Sequence, residues 1–290
     1  MGDRVLAIDI GGTKLAAGLV DEDGAIGPRA TRPTTRVEDG EALFARLTDL
    51  VDEVRERADG AVVGCGVGTG GPMTGGGASV SPVNIPAWRG FPLLHRLTGH
   101  TGLPTTVDND AKALALGEGW RGAARGRRSF LAMVVSTGVG GGIVLDGRLL
   151  DGDDGNAGHI GHVIVEPDGA QCGCGARGCL EAEASGTGIA RRTGRPAAEA
   201  DVDLRRRTGT LVGRGIASVA NLLDLPLAVV AGSVALGYGE DFFAAAQAEV
   251  DARCRLDFSR GTTVRPAGLG ADGPLVGAAA VGWRGLGRLP

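Results

Sequence analysis

Three observations in the sequence predict an α/β protein of two lobes. Strand-like runs alternate with stretches of helical spacing in both halves of the chain. A glycine-rich loop follows an apolar strand in each half. The 53 glycines among 290 residues cluster beside apolar runs, without the three-residue period of collagen, and so mark loops where backbone closely approaches another group.

The elements follow in order. RVLAIDI reads as a strand, Gly11–Gly12 turns it, and KLAAGLV returns; Asp23–Gly24 then turns the chain into another short strand. From Glu41 to Ala58, Leu43, Phe44, Leu47, Leu50, Val51 and Val54 recur at helical spacing, with Gly60 placed to stop the helix. AVVGCGVGTG is a buried strand, TTVDN another, and DNDAKALALGEGW opens a helix. SFLAMVVSTG and GGIVLDGRLL are two strands, the second ending in the Asp146–Gly147 turn. Helical stretches are expected around 186–224 and from Tyr238 to Cys254, with LAVVAGS and TTVRPAG as strands and GPLVGAAAVGW as a small-residue helix. The proline-containing PTTVDND is the expected boundary. It divides a small N-terminal lobe, residues 1–108, from a larger lobe, 109–274, with a C-terminal helix of about 275–290 packing back on the first.

Composition narrows the function classes. Hydrophobic residues make up 43% and charged residues 22%, which excludes a disordered chain. A net charge of −4 gives no electrostatic support for nucleic acid or an acidic membrane as partner. No apolar run is long enough to span a bilayer, and MGDRVLAIDI is interrupted too soon for a secretory signal. Five cysteines, an odd number and mostly clustered, fit a reducing compartment, so the expected location is the cytoplasm.

Each glycine loop taken alone reads as a tight turn; the pair says more. DIGGTK, Asp9 to Lys14, and STGVGGG, Ser136 to Gly142, both join two strands, and AGS, Ala231 to Ser233, follows a third. Such loops present backbone N–H groups to phosphate oxygens. Two of them, one per half, suit the phosphates of a nucleotide, although neither the Walker pattern nor the dinucleotide fingerprint is present. Asp9 is then placed to approach a phosphate-bound Mg²⁺; its other reading is a turn cap. The stretch HIGHVIVEPDGAQCGCGARGCLE, His159 to Glu181, packs two histidines and three cysteines into 23 residues and reads as a disulfide knot, a metal site or a redox centre.

DIGGTK, VDNDAKALALGE, STGVGGGIVLDGRLL and GHIGHVIVEPDGAQCGCGARGCLEAEASG together closely resemble the ROK family of sugar kinases and repressors, in the family's order, from Ala7 to beyond Gly277. The resemblance implies an actin-like ATPase (ribonuclease H-like) fold, with nucleotide and sugar in the cleft between two lobes and ATP phosphorylating a hexose at its 6-hydroxyl. It implies a nucleotide site at Asp9, Gly11, Gly12, Thr13, Lys14, Thr137, Gly138, Gly140 and Gly232, served by ATP and Mg²⁺. Asp110 matches the family's base, which accepts the hydroxyl proton as attack proceeds; Asn84, Asn109, His159, His162 and Glu181 match sugar contacts. Asn109–Asp110 also reads as a helix cap, compatible with catalysis. His162, Cys172, Cys174 and Cys179 match the family's structural zinc site, and three thiolates with one imidazole complete a tetrahedral shell with no vacant position.

Departures from the family pattern bear on the substrate. Family glucokinases carry Glu at the position of His159, whereas the family's bacterial N-acetylmannosamine kinases resemble this chain in GHIGH. Lys112 stands where many relatives have Asn, and AGS where GGG or GGS is usual. The expected function is therefore an ATP-dependent sugar kinase acting on N-acetylmannosamine, with a glucokinase-like hexokinase as the alternative. A DNA-binding repressor would carry a helix-turn-helix before the core, for which the nine residues up to Asp9 leave no room. A non-catalytic sugar sensor is disfavoured by the retained Asp9, Asp110 and both glycine loops. The expected partners are sugar and ATP, with no nucleic acid or membrane, and the expected assembly is a homodimer or higher homo-oligomer.

Overall fold

The structure is a computed structural model describing residues 2–34 and 39–289. The chain forms two compact units: residues 1–121, 151–157 and 271–290, and residues 122–150 and 158–270. The division falls after Arg121, not after 108 as the sequence suggested. The helix that begins at Asp110 continues unbroken from its strand and packs in the first unit, so the chain leaves that unit only at its end.

The first unit opens with β1 (Arg4–Ile10), β2 (Lys14–Asp21) and β3 (Ile26–Pro33), followed by α1 (Gly40–Glu56), β4 (Val62–Thr69), α2 (Leu93–Thr101), β5 (Thr105–Asn109) and α3 (Asp110–Arg121). Its sheet has the order β3-β2-β1-β4-β5, with β2 antiparallel to β1 and β3, and β4 parallel to β1 and β5. Alternation along β1 fills both faces. Leu6, Ile8 and Ile10 pack towards Leu47, Val51 and Trp88, while Val5 and Ala7 face the C-terminal helix.

The second unit contains β6 (Phe130–Val135), β7 (Val139–Leu145), β8 (Arg148–Leu149), α4 (Leu180–Ala184), α5 (Gly186–Thr193), α6 (Val202–Leu223), β9 (Leu227–Ala231), α7 (Ser233–Tyr238), α8 (Glu240–Arg253) and β10 (Thr263–Pro266). Its sheet order is β10-β9-β6-β7-β8, antiparallel on the β7–β8 side and parallel on the β9–β10 side. Strand for strand, this repeats the connectivity of the first sheet. The helix expected from Tyr238 to Cys254 is α8, which begins at Glu240; Gly239, whose φ of 56° and ψ of −134° lie outside the helical region, separates it from the short α7.

The final helix, α9 (Gly273–Gly285), belongs to the first unit. Its small residues have a packing reason. A methyl group at Gly66 on β4 would fall 2.0 Å from the Ala278 carbonyl oxygen, and one at Gly277 would fall 2.7 Å from the Ala113 carbonyl oxygen. Backbone therefore lies directly on backbone where α9 crosses the sheet and α3. Among the described residues no helix is long and apolar enough to cross a membrane.

Candidate active site

In the first unit the expected residues collect where β1, β4 and β5 end, the carboxyl edge at which open α/β sheets bind ligands. Asp9 lies opposite Gly68 of β4 and Ala16 of β2. A methyl group at Gly68 would sit 3.7 Å from Asp110 Cα and 4.0 Å from Asp9 Oδ1, so both acids adjoin the same bare strip of β4. Burial and the charge of Asp110 push the Asp9 carboxyl up to about 7, against the opposing pull of Lys14. A cation at this position would reverse that shift, the behaviour expected of a carboxylate that meets phosphate-bound Mg²⁺.

The first glycine loop is pinned through its carbonyls. The Gly11 N–H donates to the Lys14 carbonyl at 2.9 Å, the Thr34 hydroxyl donates to the Gly11 carbonyl at 2.8 Å, and the Thr34 N–H donates to the Thr13 carbonyl at 2.9 Å. Gly12, Thr13 and Lys14 are exposed at its tip. Asn84 meets this loop: a methyl group at Gly12 would fall 2.6 Å from Asn84 Cβ. Asn109 ends β5, and its Oδ1 accepts the Ala111 N–H at 3.0 Å, while Asp110 Oδ1 accepts the same N–H at 2.8 Å. This is a helix cap, with the exposed Asp110 at the first position of α3.

In the second unit the β6–β7 turn, Ser136 to Gly138, is held from several sides. The Gly186 N–H donates to the Ser136 carbonyl at 2.7 Å, and the Thr187 hydroxyl donates to the Thr137 carbonyl at 2.9 Å. Glu181 closes on it too, with Oε2 accepting the Val139 N–H at 3.2 Å and lying 3.0 Å from where a Gly138 methyl group would be. Gly140 pairs with Val134 inside the sheet. Gly232 has φ +102°, and a methyl group there would fall 2.3 Å from the Val135 carbonyl oxygen, so only glycine fits. Beside this turn opens a cavity of about 760 Å³, lined among others by Thr137, Thr187, Arg191, Ser233 and Tyr238. That volume is ample for a nucleoside.

The third cluster is the cysteine loop. One ligand atom from each of His162, Cys172, Cys174 and Cys179 lies within 4.8 Å of all the others. The Cys174 and Cys179 sulfurs are 3.7 Å apart, and Cys172 Sγ is 3.8 Å from His162 Nδ1. Tetrahedral zinc with Zn–S bonds of about 2.3 Å requires sulfur–sulfur edges of about 3.8 Å, so the donor set fits this ion. The sulfurs are far beyond the roughly 2.05 Å of a disulfide, and all five cysteines are free thiols. Burial, with Cys172 and Cys174 beside it, pushes the Cys179 thiol up to about 12. Three thiolates crowded like this need a cation to coexist. His159 is exposed just ahead of His162, their rings 6.2 Å apart and inclined by 14°.

The sequence pattern of the ROK family matches residues 5–283. The chain belongs to the ROK family. Over 249 residues it is 41% identical to the N-acetylmannosamine kinase of Citrobacter koseri, covering 81% of this chain and 84% of that one. It is 43% identical over 189 residues to the glucokinase of Thermotoga maritima, an alignment covering 65% of this chain and 59% of that protein. The structure of a ROK family glucokinase from Streptomyces griseus in complex with glucose and AMPPNP matches with a TM-score of 0.82 and 31% identity, over 97% of this chain and 99% of that one. The fold is thus the actin-like ATPase fold expected of a ROK protein.

Two groups near these ROK motifs are not apparent from the sequence. Glu183 is buried; it accepts the Ala170 N–H at 2.6 Å and pairs with Arg207 at 2.8 Å, which ties the cysteine loop to α6. Asp108, Lys112, Asp151 and Arg284 form a charged cluster behind Asp110. In the sequence, the i,i+4 spacing of Asp108 and Lys112 and the departure from the family pattern at Lys112 were its signals.

Proposed function

We propose that this ROK sugar kinase transfers the terminal phosphoryl group of ATP to the 6-hydroxyl of N-acetylmannosamine. The observation that carries the reading is the convergence of Asp9, Asn109 and Asp110 on the carboxyl edge of one sheet, with Asn109 capping α3 and Asp110 exposed at its first position. A sugar hydroxyl is a weak nucleophile, and the Asp110 carboxylate accepts its proton as the bond to phosphorus forms. Asn84 and Asn109 orient the sugar, so that alignment supplies most of the acceleration and the base a smaller factor. The exposed tips of the glycine loops receive phosphate oxygens, and the cavity beside Thr137 receives the nucleoside. Asp9 is the residue that would meet a phosphate-bound Mg²⁺, which would supply charge neutralisation there. His162, Cys172, Cys174 and Cys179 would hold zinc, which would fix the loop that carries His159 and Glu181.

His159 and the likeness to the C. koseri enzyme support N-acetylmannosamine as the acceptor. A neutral imidazole donates one hydrogen bond and accepts one, so it addresses an acetamido carbonyl; a carboxylate only accepts. Glucose is the second reading, favoured by the 43% identity to the T. maritima glucokinase. The test is the ratio of kcat/KM for N-acetylmannosamine and glucose in the parent and in His159→Glu. The parent should prefer N-acetylmannosamine, and the substitution should move the ratio towards glucose by about tenfold, the effect of one or two hydrogen bonds. A parent that prefers glucose, or a ratio that the substitution leaves unmoved, contradicts this assignment.

A further inference from the structure

Helix α3 buries Ala111, Ala113, Leu114 and Ala115, and among them a lysine that is only 2% exposed. A buried ammonium is costly unless each of its three protons meets an acceptor. Lys112 Nζ has three: Asp108 Oδ1 at 2.8 Å, Asp151 Oδ1 at 2.7 Å and the Gly155 carbonyl at 3.1 Å. Arg284 of α9 completes the cluster, 2.8 Å from Asp151 Oδ2 and 3.9 Å from Asp108 Oδ2. Two cations face two carboxylates, so the group is neutral as a whole.

Asp108 links the cluster to the site. Asp108 Oδ1, which accepts from Lys112, also accepts the Asn109 N–H at 2.8 Å. That N–H lies one residue before Asp110, in the strand-to-helix junction that carries both proposed sugar-facing groups. We infer that Lys112 is a positioning residue for the phosphoryl transfer: by holding Asp108 it fixes the junction, and with it the Asp110 carboxylate. The inference rests on the reading of Asp110 as the base.

The physical consequence of removing the ammonium follows from the burial of its partner. Asp108 is buried and its carboxyl is pushed up by that burial, with Lys112 as the main opposing influence. Without Lys112 the carboxylate must protonate or turn towards solvent, and either change alters the bond to the Asn109 N–H. The segment 151–157 loses two of its ties to α3 at the same time. A shift of the order of 1 Å in a base costs about a hundredfold in rate without requiring any change in ground-state binding.

The experiment compares steady-state kinetics of Lys112→Met, Asp151→Asn and Asp110→Asn with the parent, using ATP with N-acetylmannosamine and with glucose. Lys112→Met should lower kcat by about 10- to 100-fold, with the KM values for sugar and ATP within about threefold of the parent. Asp151→Asn, whose side chain is 43% exposed and therefore easier to replace, should show the same split with a smaller loss. Unchanged kcat in folded Lys112→Met, or a parallel rise in both KM values, overturns the inference. If Lys112→Met does not fold, an unchanged kcat in Asp151→Asn overturns it instead. Asp110→Asn separates the two levels. Full turnover there removes the base reading and this inference together, while lost turnover there with full turnover in the other variants removes this inference alone.

Discussion

Burial and the neighbouring Asp110 push the Asp9 carboxyl from an ordinary 3.8 up to about 7, which makes its charge a sensitive reporter of the site. The sign follows from proton uptake. The folded chain holds at Asp9 a proton that the unfolded chain releases near 3.8, so this contribution to stability is fully present below that pH and is lost as pH rises through about 7. Asp151, Glu183 and Glu249 are held below the ordinary carboxylate range, because the Ala170 N–H at Glu183 and the Arg and Lys partners of all three outweigh burial; they act at lower pH and in the opposite sense. Without nucleotide or Mg²⁺, the melting temperature should therefore decline between about pH 5 and pH 8, and Asp9→Asn should flatten part of that decline. Identical slopes in parent and variant would contradict the assignment. Asp9 and Asp110 were legible in the sequence because short motifs carry them. The Lys112 cluster was not, because Asp151 and Arg284 lie far along the chain and meet Lys112 only through the fold.

The regular elements were readable wherever periodicity was strong. α1 buries the six apolar residues that its spacing marked, and the DIGGTK and STGVGGG loops each join two strands as expected. Helix α2 was not anticipated, although Leu93, Leu97 and Thr101 bury one face at i,i+4 spacing. Its nine residues are bounded by Pro92 and Gly102, and so short a helix gives a weak periodic signal. The six-residue α7 was hidden for a different reason: it and α8 follow each other directly, and only the backbone angles of Gly239 separate them. The cysteine loop depends least on regular structure. It is held by two isolated bridges, Ile164 with Cys179 and Gln171 with Arg177, and by Glu183, so metal binding should carry much of its order. Purified protein should contain one zinc per chain, and Cys179→Ser should lose the metal and lower the melting temperature. Metal analysis finding no zinc in freshly prepared active protein would contradict this account.

At the scale of the molecule, the two sheets repeat one connectivity: three antiparallel strands joined to two parallel ones. The sequence hinted at this through its paired glycine loops, but the unit boundaries were less legible. The first unit is assembled from three separate stretches, and contact with α9 keeps α3 within it, a relation between residues some 160 positions apart. As a ROK sugar kinase, the chain is expected to transfer a phosphoryl group from ATP to the sugar 6-hydroxyl. The most direct measurement is phosphorus NMR of the products formed from ATP and N-acetylmannosamine, with the 6-deoxy sugar as control. The account predicts stoichiometric ADP and a new phosphomonoester on the 6-carbon, with no such product from the 6-deoxy sugar or with Asp110→Asn. A phosphate placed on another hydroxyl, or ATP consumed without a sugar phosphate, would contradict it.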